Sequence, residues 1–537
     1  MDRIAPLCPP AALTPVAPAP QAANPVKHRA VAFPVVFLLL SALDGQVRAA
    51  EPLPQFSLDA AVRRALAQSP AVRVREAEID RREGTREQAA GEFDWITSAS
   101  AARIKERSPA VDSFGRDIVN AADTTTLAVA ATRKLRNGVI VQPSTQVGVS
   151  DGHSPPAPAA GRSQFNLQII VPLLRGLGPE SAGAAEAAAR GDVEVARLLY
   201  RHALAEQAYN TVRAYWSARA TQAAVAVQRD DEARAQRLHD GIRVLVETRI
   251  FAPNLLLQSE ANLRQKSTST NAAELTALDA TFTLGRIMGL PPAELARALA
   301  PDQALPADVV SPAAAEDTAL RVRWIERALR QRADFLAVRQ SEVPLRVLAQ
   351  QAELDLKPRV DLSVRGGYAG LNRGHSVIEP LTQRLTGANG ELGVMLEWPG
   401  ANTYQRGLLR SRRAAQRQAE LTTAQFQSDI AADVCTALAE VRLRAETMRN
   451  AGATAAIARK AVEQEQRRLQ TGEATVLDVI NLENLMSSAR LSQIDAQAGY
   501  AVAVARLRYA VGEIFLAENR DQSFQLTDLT QLPADEK

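Results

Sequence analysis

The chain has 537 residues, and its 63 Lys and Arg nearly cancel its 60 Asp and Glu, which excludes the net basic surface of a nucleic-acid-binding protein. Hydrophobic residues make up 46% but aromatics only 4%, so the apolar fraction is largely Ala, Val and Leu, suited to long helices packed closely rather than a thick globular core. Two cysteines, Cys8 and Cys435, exclude a disulfide-stapled scaffold and a Cys-rich metal cluster.

Residues 1–26 are rich in Pro and Ala and carry no periodicity. Lys27, His28 and Arg29 then precede an apolar run over 31–43, and Val47-Arg48-Ala49 follows. A basic flank, a short apolar stretch and a compact exit predict a secretory signal peptide within residues 1–50, removed together with Cys8. The run falls short of the roughly 20 residues that span a bilayer. No cysteine follows the exit site, and no later apolar run approaches spanning length, so the expected mature chain is exported without a lipid anchor or transmembrane helix.

The rest reads as one module written twice, over 51–300 and 313–516, with a Pro-rich linker at 301–312 and a tail at 517–537. Arg64-Ala65-Leu66 is echoed by Arg327-Ala328-Leu329, and the segment 284–289 by 507–512; Glu260 stands in register with Glu483. The offset falls from 263 to 223, so the first copy carries about forty extra residues midway.

Each module opens with a helix, predicted over 58–92 and 316–356, the first capped by Ser57. Extended segments follow. Phe165, Leu167, Ile169 and Val171 alternate with Gln164, Asn166 and Gln168; Val360, Leu362 and Val364 alternate with Asp361, Ser363 and Arg365; Leu392, Val394, Leu396 and Trp398 alternate with Glu391, Gly393 and Glu397. This period of two marks strands with one apolar and one polar face. In the first copy Asn137-Gly138 predicts a hairpin between 126–136 and 139–149, which accounts for most of the extra length.

Very long helices come next, over 181–246 and 404–470, each on the order of 100 Å. Val434, Val441 and Met448 repeat every seven residues, interleaved with Ala431, Leu438 and Ala445; Val195, Tyr209 and Trp216 with Leu198 and Val212 show the same spacing. A short break at 248–254 or 471–475 reverses the chain into a helix ending near 290 or 511.

Alternating strands build either a soluble sheet or a membrane barrel. Each reads as about 9–11 residues, the length that spans a membrane, and four to six are available per chain. Closed barrels start near eight strands, so a membrane reading requires several chains; three chains of four strands give twelve. Two long helical hairpins also expose seams on both sides, which a ring of copies buries around a central channel.

With strand pairs set between long helices twice over, the chain resembles the TolC-like outer-membrane efflux protein family over about residues 56–516. The markers are Leu58-Asp59-Ala60-Ala61-Val62-Arg63-Arg64-Ala65-Leu66, Pro172-Leu173-Leu174-Arg175-Gly176-Leu177-Gly178 and Gly472-Glu473-Ala474-Thr475-Val476-Leu477-Asp478-Val479-Ile480. The resemblance implies a mainly α fold with membrane β: duplicated coiled-coil hairpins forming an α-barrel in the periplasm, and a trimeric β-barrel in the outer membrane of a Gram-negative-type cell. It also implies a homotrimer that docks a periplasmic adaptor and an inner-membrane pump to export drugs, metals or polypeptides.

On this reading Arg249, Arg468 and Gly472 sit at the adaptor-docking tips, Glu463 and Glu465 are candidates to constrict the pore, and Leu167, Ile169 and Val394 face lipid. The first tip, Thr248-Arg249-Ile250-Phe251-Ala252-Pro253, lacks the glycine that Gly472 supplies in the second, which sets equal docking by the two tips in question. The added hairpin has three readings: a loop-side lengthening of the barrel, which is favoured, a rise to eighteen strands, or an external cap.

No enzyme constellation appears. The five histidines, His28, His153, His202, His239 and His375, form no metal-spaced pair, and P-loop, GxSxG and dinucleotide-binding patterns are missing. The expectation is a non-enzyme without cofactor, metal or nucleic-acid partner. Tyr215-Trp216 reads as core packing, His239-Asp240 as a solvated pair, and Cys435 as an inert small core residue. The alternative function is a structural periplasmic coiled-coil protein bridging envelope layers, with its strands in a soluble sheet.

Overall fold

A computed structural model describes residues 55–532, apart from 112–113, 155, 251, 296–299, 309–315, 375, 377–378, 380–386 and 516–530. The signal-peptide segment and nearly all of the 517–537 tail lie outside the described residues.

After a two-residue strand β1 (Gln55–Phe56), the first helical arm is two helices, α1 (Leu58–Gln68) and α2 (Pro70–Ala90), not the single helix expected over 58–92. Ser57 caps α1, its hydroxyl accepting the Ala60 N–H at 3.3 Å. The break falls at Ser69, whose ψ of 126° is extended because the ring of Pro70 disfavours a helical residue before it. Four strands follow: β2 (Ile96–Val111), β3 (Asp117–Lys134), β4 (Ile140–Ser154) and β5 (Pro156–Pro172). A short α3 (Pro179–Ala182) leads into α4 (Ala184–Glu247), 64 residues long, and α5 (Asn254–Ile287) returns. The short α6 (Pro292–Leu295) and β6 (Ala300–Pro301) close the first copy, β6 pairing in parallel with β1.

The second copy repeats the order. Helices α7 (Thr318–Gln331) and α8 (Ala333–Leu354) are again separate where one was expected over 316–356. Here no proline intervenes; Arg332 adopts an extended ψ of 117°. Its buried guanidinium bonds Asp334 at 2.8 Å and Asp433 at 3.3 Å, so a side-chain ion network takes the place of the helical turn. Strands β7 (Arg359–Arg373) and β8 (Gly387–Glu397) follow, then α9 (Thr403–Gln470), 68 residues, and α10 (Val476–Val511).

One antiparallel sheet gathers six strands in the order β2-β3-β4-β5-β7-β8. The strands run 11 to 18 residues, longer than the roughly 9–11 expected. The Asn137-Gly138 hairpin forms, closing between Lys134 and Ile140, but β3 and β4 are interior strands of this sheet. The favoured loop-side extension is therefore wrong: the insertion adds two strands to the sheet. Among the described residues, β2 and β8 each have one edge without a partner strand.

The helices stand side by side in a single file. Nearer the sheet α2 packs on α4, α4 on α8 and α8 on α9; towards the reversals α5 packs on α4, α4 on α10 and α10 on α9. Val434, Leu438, Val441 and Ala445 of the α9 heptad are at most 1% exposed, and Tyr215 and Trp216 are equally buried, so these positions are core as expected. Cys435 is only half-buried in the chain rather than core.

The duplication is physical as well as textual. At the end of α5, Gly289 (φ +72°) donates to Arg286 and Leu290 donates to Gly285; at the end of α10, Gly512 (φ +87°) donates to Tyr509 and Glu513 to Arg508. These are the paired 5→2 and 6→1 bonds of a Schellman cap, repeated at the offset of 223. Each glycine also abuts the helix break of its own module: an added Cβ would meet Gln68 and Ser69 in the first, Gln331 and Arg332 in the second. Gly512→Val should therefore cost at least about 1–2 kcal/mol from its left-handed backbone, with crowding against Arg332 added. Thermal unfolding of the purified variant, with clearly earlier melting than the native chain, checks this.

Candidate functional site

Directly paired residues of antiparallel strands share a face, so the register assigns each strand residue to one of two surfaces. Ile169 pairs with Val364 and Val364 with Leu392; Leu362 pairs with Val394; Leu167 pairs with Gly366 and Phe165 with Tyr368. On β4 and β3 the same face continues through Val141, Thr145, Leu127 and Val129. The three residues expected to face lipid thus lie on one surface. Val394 is 68% exposed and Leu167 39%, while Ile169 is half-buried. The opposite surface carries Ser144, Gln146, Gln164, Asn166, Gln168 and Ser363.

The apolar face has aromatic borders. Trp95 and Trp398 stand just outside β2 and β8 at the helix end of the sheet, both exposed, with Arg133 5.8 Å over the Trp95 ring. Phe165 and Tyr368 form the far border; Tyr368 pairs with Ala388, ten residues along β8 from Trp398. Ten residues rise about 34 Å, or about 24 Å normal to a membrane crossed at 45°, against an apolar band of about 25 Å in outer-membrane barrels. Sequence reading found the alternation but not this border, although the two tryptophans already stood at corresponding ends of strand segments.

At the other end of the long helices the two reversals open with the same cap. Gly472 (φ +78°) donates to Leu469 and Glu473 to Arg468, while Arg249 (φ +60°) donates to Val246 and Ile250 to Leu245. Both are Schellman caps, again 223 residues apart. Arg249 holds the left-handed conformation that glycine adopts without a Cβ penalty, so the missing glycine does not change the cap that ends the first long helix. The second tip adds a capping box: Thr475 Oγ1 accepts the Asp478 N–H, and the Asp478 carboxylate accepts the Thr475 N–H at 3.0 Å.

Arg249 is exposed. Arg468 donates to Glu465 at 3.1 Å and to the Glu473 carbonyl at 3.2 Å, folding over the turn. Glu463 and Glu465 are two residues apart and so do not share a helix face. Glu463 is exposed, 3.9 Å from Arg459, whereas the Glu465 side chain is mostly covered.

Between the two hairpins lies a buried ion cluster that sequence reading missed. Asp231 of α4 is 3% exposed and receives Arg234 and the Ser487 hydroxyl of α10, with Lys266 of α5 at 4.0 Å. Asp230 binds Arg234 and, at 2.7 Å, Arg490 of α10. Glu483 of α10 is also buried; it accepts the Gln466 amide of α9 at 3.1 Å, and burial pushes its carboxyl above the usual range against the pull of Arg234. No local motif signals the cluster, because its members come from four helices. Its one textual trace is the Glu260–Glu483 register: Glu260, on α5, is exposed.

His239 is not a solvated pair with Asp240; its Nδ1 lies 2.9 Å from Ser259 Oγ across α4 and α5. The side chains of His28, His153 and His375 lie outside the described residues. Among the described residues no helix is long and apolar enough to cross a membrane.

Residues 324–513 match the family model described as outer membrane efflux protein, which spans most of the second module. No curated protein matches the chain. The chain shares its fold with the CmeC outer membrane channel of Campylobacter jejuni, 12% identical, over 88% of this chain and 90% of that one at a TM-score of 0.64. It is similarly like the outer membrane protein VceC of Vibrio cholerae, 15% identical, over 85% and 96% at 0.62. The MtrE outer membrane channel of Neisseria gonorrhoeae, solved in its open state, is 13% identical, over 85% and 88% at 0.57. The resemblance to TolC-like outer-membrane efflux proteins is thereby borne out, by family signature in the second module and by fold across the described chain.

The buried Glu483 makes a testable link to pH. A carboxyl whose pKa is raised on folding binds its proton more tightly when folded, so stability is greatest below its ordinary value of 4.5 and falls as pH rises through the folded value. Glu483→Gln should melt later than the native chain at pH 7, and the difference should shrink as the pH is lowered towards 4.5.

Proposed function

We propose that three copies of this chain form an outer-membrane exit duct, with their sheets closed into one barrel and their helices into a tube across the periplasm. The duct passes substrates that an inner-membrane pump delivers through a periplasmic adaptor. Supporting this, sheet and helices are open on the same two sides. Strand β2 follows α2 at one edge, and β8 runs into α9 at the other. Within a bilayer each unpaired backbone group costs several kcal/mol, so such a sheet closes only with further copies. The apolar band with aromatic borders argues for lipid on the outer face, at Leu167, Ile169 and Val394, and against a soluble sheet in a structural rod.

The observation that carries the reading is a swap of bulk between the two modules. Within the chain, Trp216 and Tyr209 of α4 pack in a cluster with Ala501 and Ala505 of α10. At the offset of 223, α9 carries Ala439 and Ala432, both exposed, where α4 carries Trp216 and Tyr209. In turn α5 carries Leu278 and Phe282, 46% and 45% exposed, where α10 carries Ala501 and Ala505. The edge helices α9 and α5 are therefore complementary to each other, small against large, in the register that α4 and α10 use inside the chain. Contact between α9 of one copy and α5 of the next covers both faces with little net change in volume.

In the same register Cys435 of α9 stands where α4 has the buried Val212. The tips at Arg249, Arg468 and Gly472 are then the adaptor-docking end, and Glu463, on the exposed helix face, is the candidate for the pore. Glu465 serves to hold Arg468.

Two measurements test the reading. With Leu278→Cys or Phe282→Cys, oxidation should link the new thiol to Cys435 of a neighbouring copy within the 4.4–6.8 Å Cα separation a disulfide requires, because in this register Cys435 stands to the two positions as Val212 stands to Ala501 and Ala505 in the core cluster inside the chain. Only single-chain products from both variants would sink the register. Replacing Leu167, Ile169 or Val394 by Arg should cost roughly 2–4 kcal/mol near the bilayer midplane, read as loss of assembled protein from outer membranes; normal assembly of all three would remove lipid from that face.

A further inference from the structure

The insertion that distinguishes the first copy bears on what the duct can pass. We propose that the assembled barrel has eighteen strands and a bore as wide as the helical tube, so that bulky hydrophilic solutes leave without a narrowing at the outer membrane. This rests on the three-copy reading above. The first module contributes four strands to the sheet and the second only two. Strand β3 pairs with β2 from Asp117 to Thr132 and, on its other side, with β4; β4 pairs in turn with β5 from Ile140 to His153. No shorter sheet is hidden within this order, because β2 and β5 touch only through β3 and β4.

Barrel diameter grows roughly linearly with strand number. At a spacing of about 4.8 Å and a tilt near 45°, twelve strands give a backbone radius of about 13 Å and eighteen about 20 Å. The helical tube sets the comparison. Four helices side by side in each of three copies make a ring of twelve, and at an interaxial distance of about 10 Å its radius to the helix axes is about 19 Å. Allowing about 5 Å for a helix half-width or an inward side chain leaves a tube bore near 14 Å in radius. A twelve-strand barrel would throttle that bore to about 8 Å, whereas eighteen strands keep it near 15 Å.

The lining suits free passage. The face opposite the apolar band is built from uncharged polar residues such as Ser144, Gln146, Gln164 and Asn166. Charges on that face stand mostly towards its two ends: Arg365 and Glu391 are paired at 3.3 Å, and Arg359 pairs with Asp361 at 2.7 Å near the helices, while Glu106, Arg162 and Arg373 lie in the half away from them. With no constriction in the barrel, any size sieve belongs to the helical end.

The full chain in lipid nanodiscs, imaged by electron cryo-microscopy, tests this directly. The expected map has three-fold symmetry, eighteen strands and β3 and β4 in the wall. A closed twelve-strand barrel with β3 and β4 outside it would overturn the inference while leaving the duct intact; a map with no closed three-copy barrel would overturn the reading beneath it. A second measurement reads the bore. Ser144→Cys in outer membranes should react with polymer maleimides on the order of 20 Å across, and labelling confined to small maleimides would also overturn the proposal.

Discussion

Every backbone N–H and C=O removed from water needs a partner, and among the described residues one edge each of β2 and β8 has no partner strand. The rest of the architecture is arranged around that incompleteness. Six twisted strands are too few to close, and the helices continue each open edge rather than folding over it. In water an edge of this length would invite uncontrolled pairing; in a bilayer it has no acceptable state except closure with another strand. On the proposed assembly the chain is a segment of a wall that its own copies complete.

Duplication makes the wall continuous. The same caps recur at both ends of the returning helices, at Gly289 and Gly512 and at Arg249 and Gly472, each pair 223 residues apart. Matching caps repeat the helix ends of one module in the other, so in the proposed assembly the seam between chains would follow the geometry of the seam inside one chain. What differs is chemistry. The internal seam holds the Asp230, Asp231, Arg234, Arg490 and Glu483 cluster, and large α4 residues against alanines. The proposed outer seam would have Ala453, Thr454 and Ile457 at the positions of Asp230, Asp231 and Arg234, with the sizes reversed. Breaking a buried ion pair by removing one partner is strongly destabilising, so Asp231 and Arg234 must both be kept for the two hairpins of one chain to stay joined there.

Much of this was readable in the sequence, for reasons that lie in particular residues. The heptads of α9 located the long helices to within a few residues, because Val434, Val441 and Met448 have one periodicity and one burial. The alternation at 165–171 and 392–398 exposed the two-faced strands. Strand β2 was invisible because Thr97, Ala99 and Ala101 differ too little from Ser98, Ser100 and Ala102 to show a face. Arg332 broke a helix without a proline, and Arg249 took a left-handed turn without a glycine; both are set by contacts that no local pattern records. Arg249, Arg468 and Gly472 lie at the helix reversals read from the sequence, but the pairing of Glu465 with Arg468 and its separation from Glu463 depend on helical phase at single-residue precision.

The central claim is that the described chain is a third of a closed object. It is tested most directly by the native mass of the complex extracted from outer membranes in mild detergent. The account predicts a particle of three chains that does not dissociate to folded monomers on dilution. A stable, folded single chain under those conditions, with β2 and β8 protected from hydrogen exchange, would contradict it.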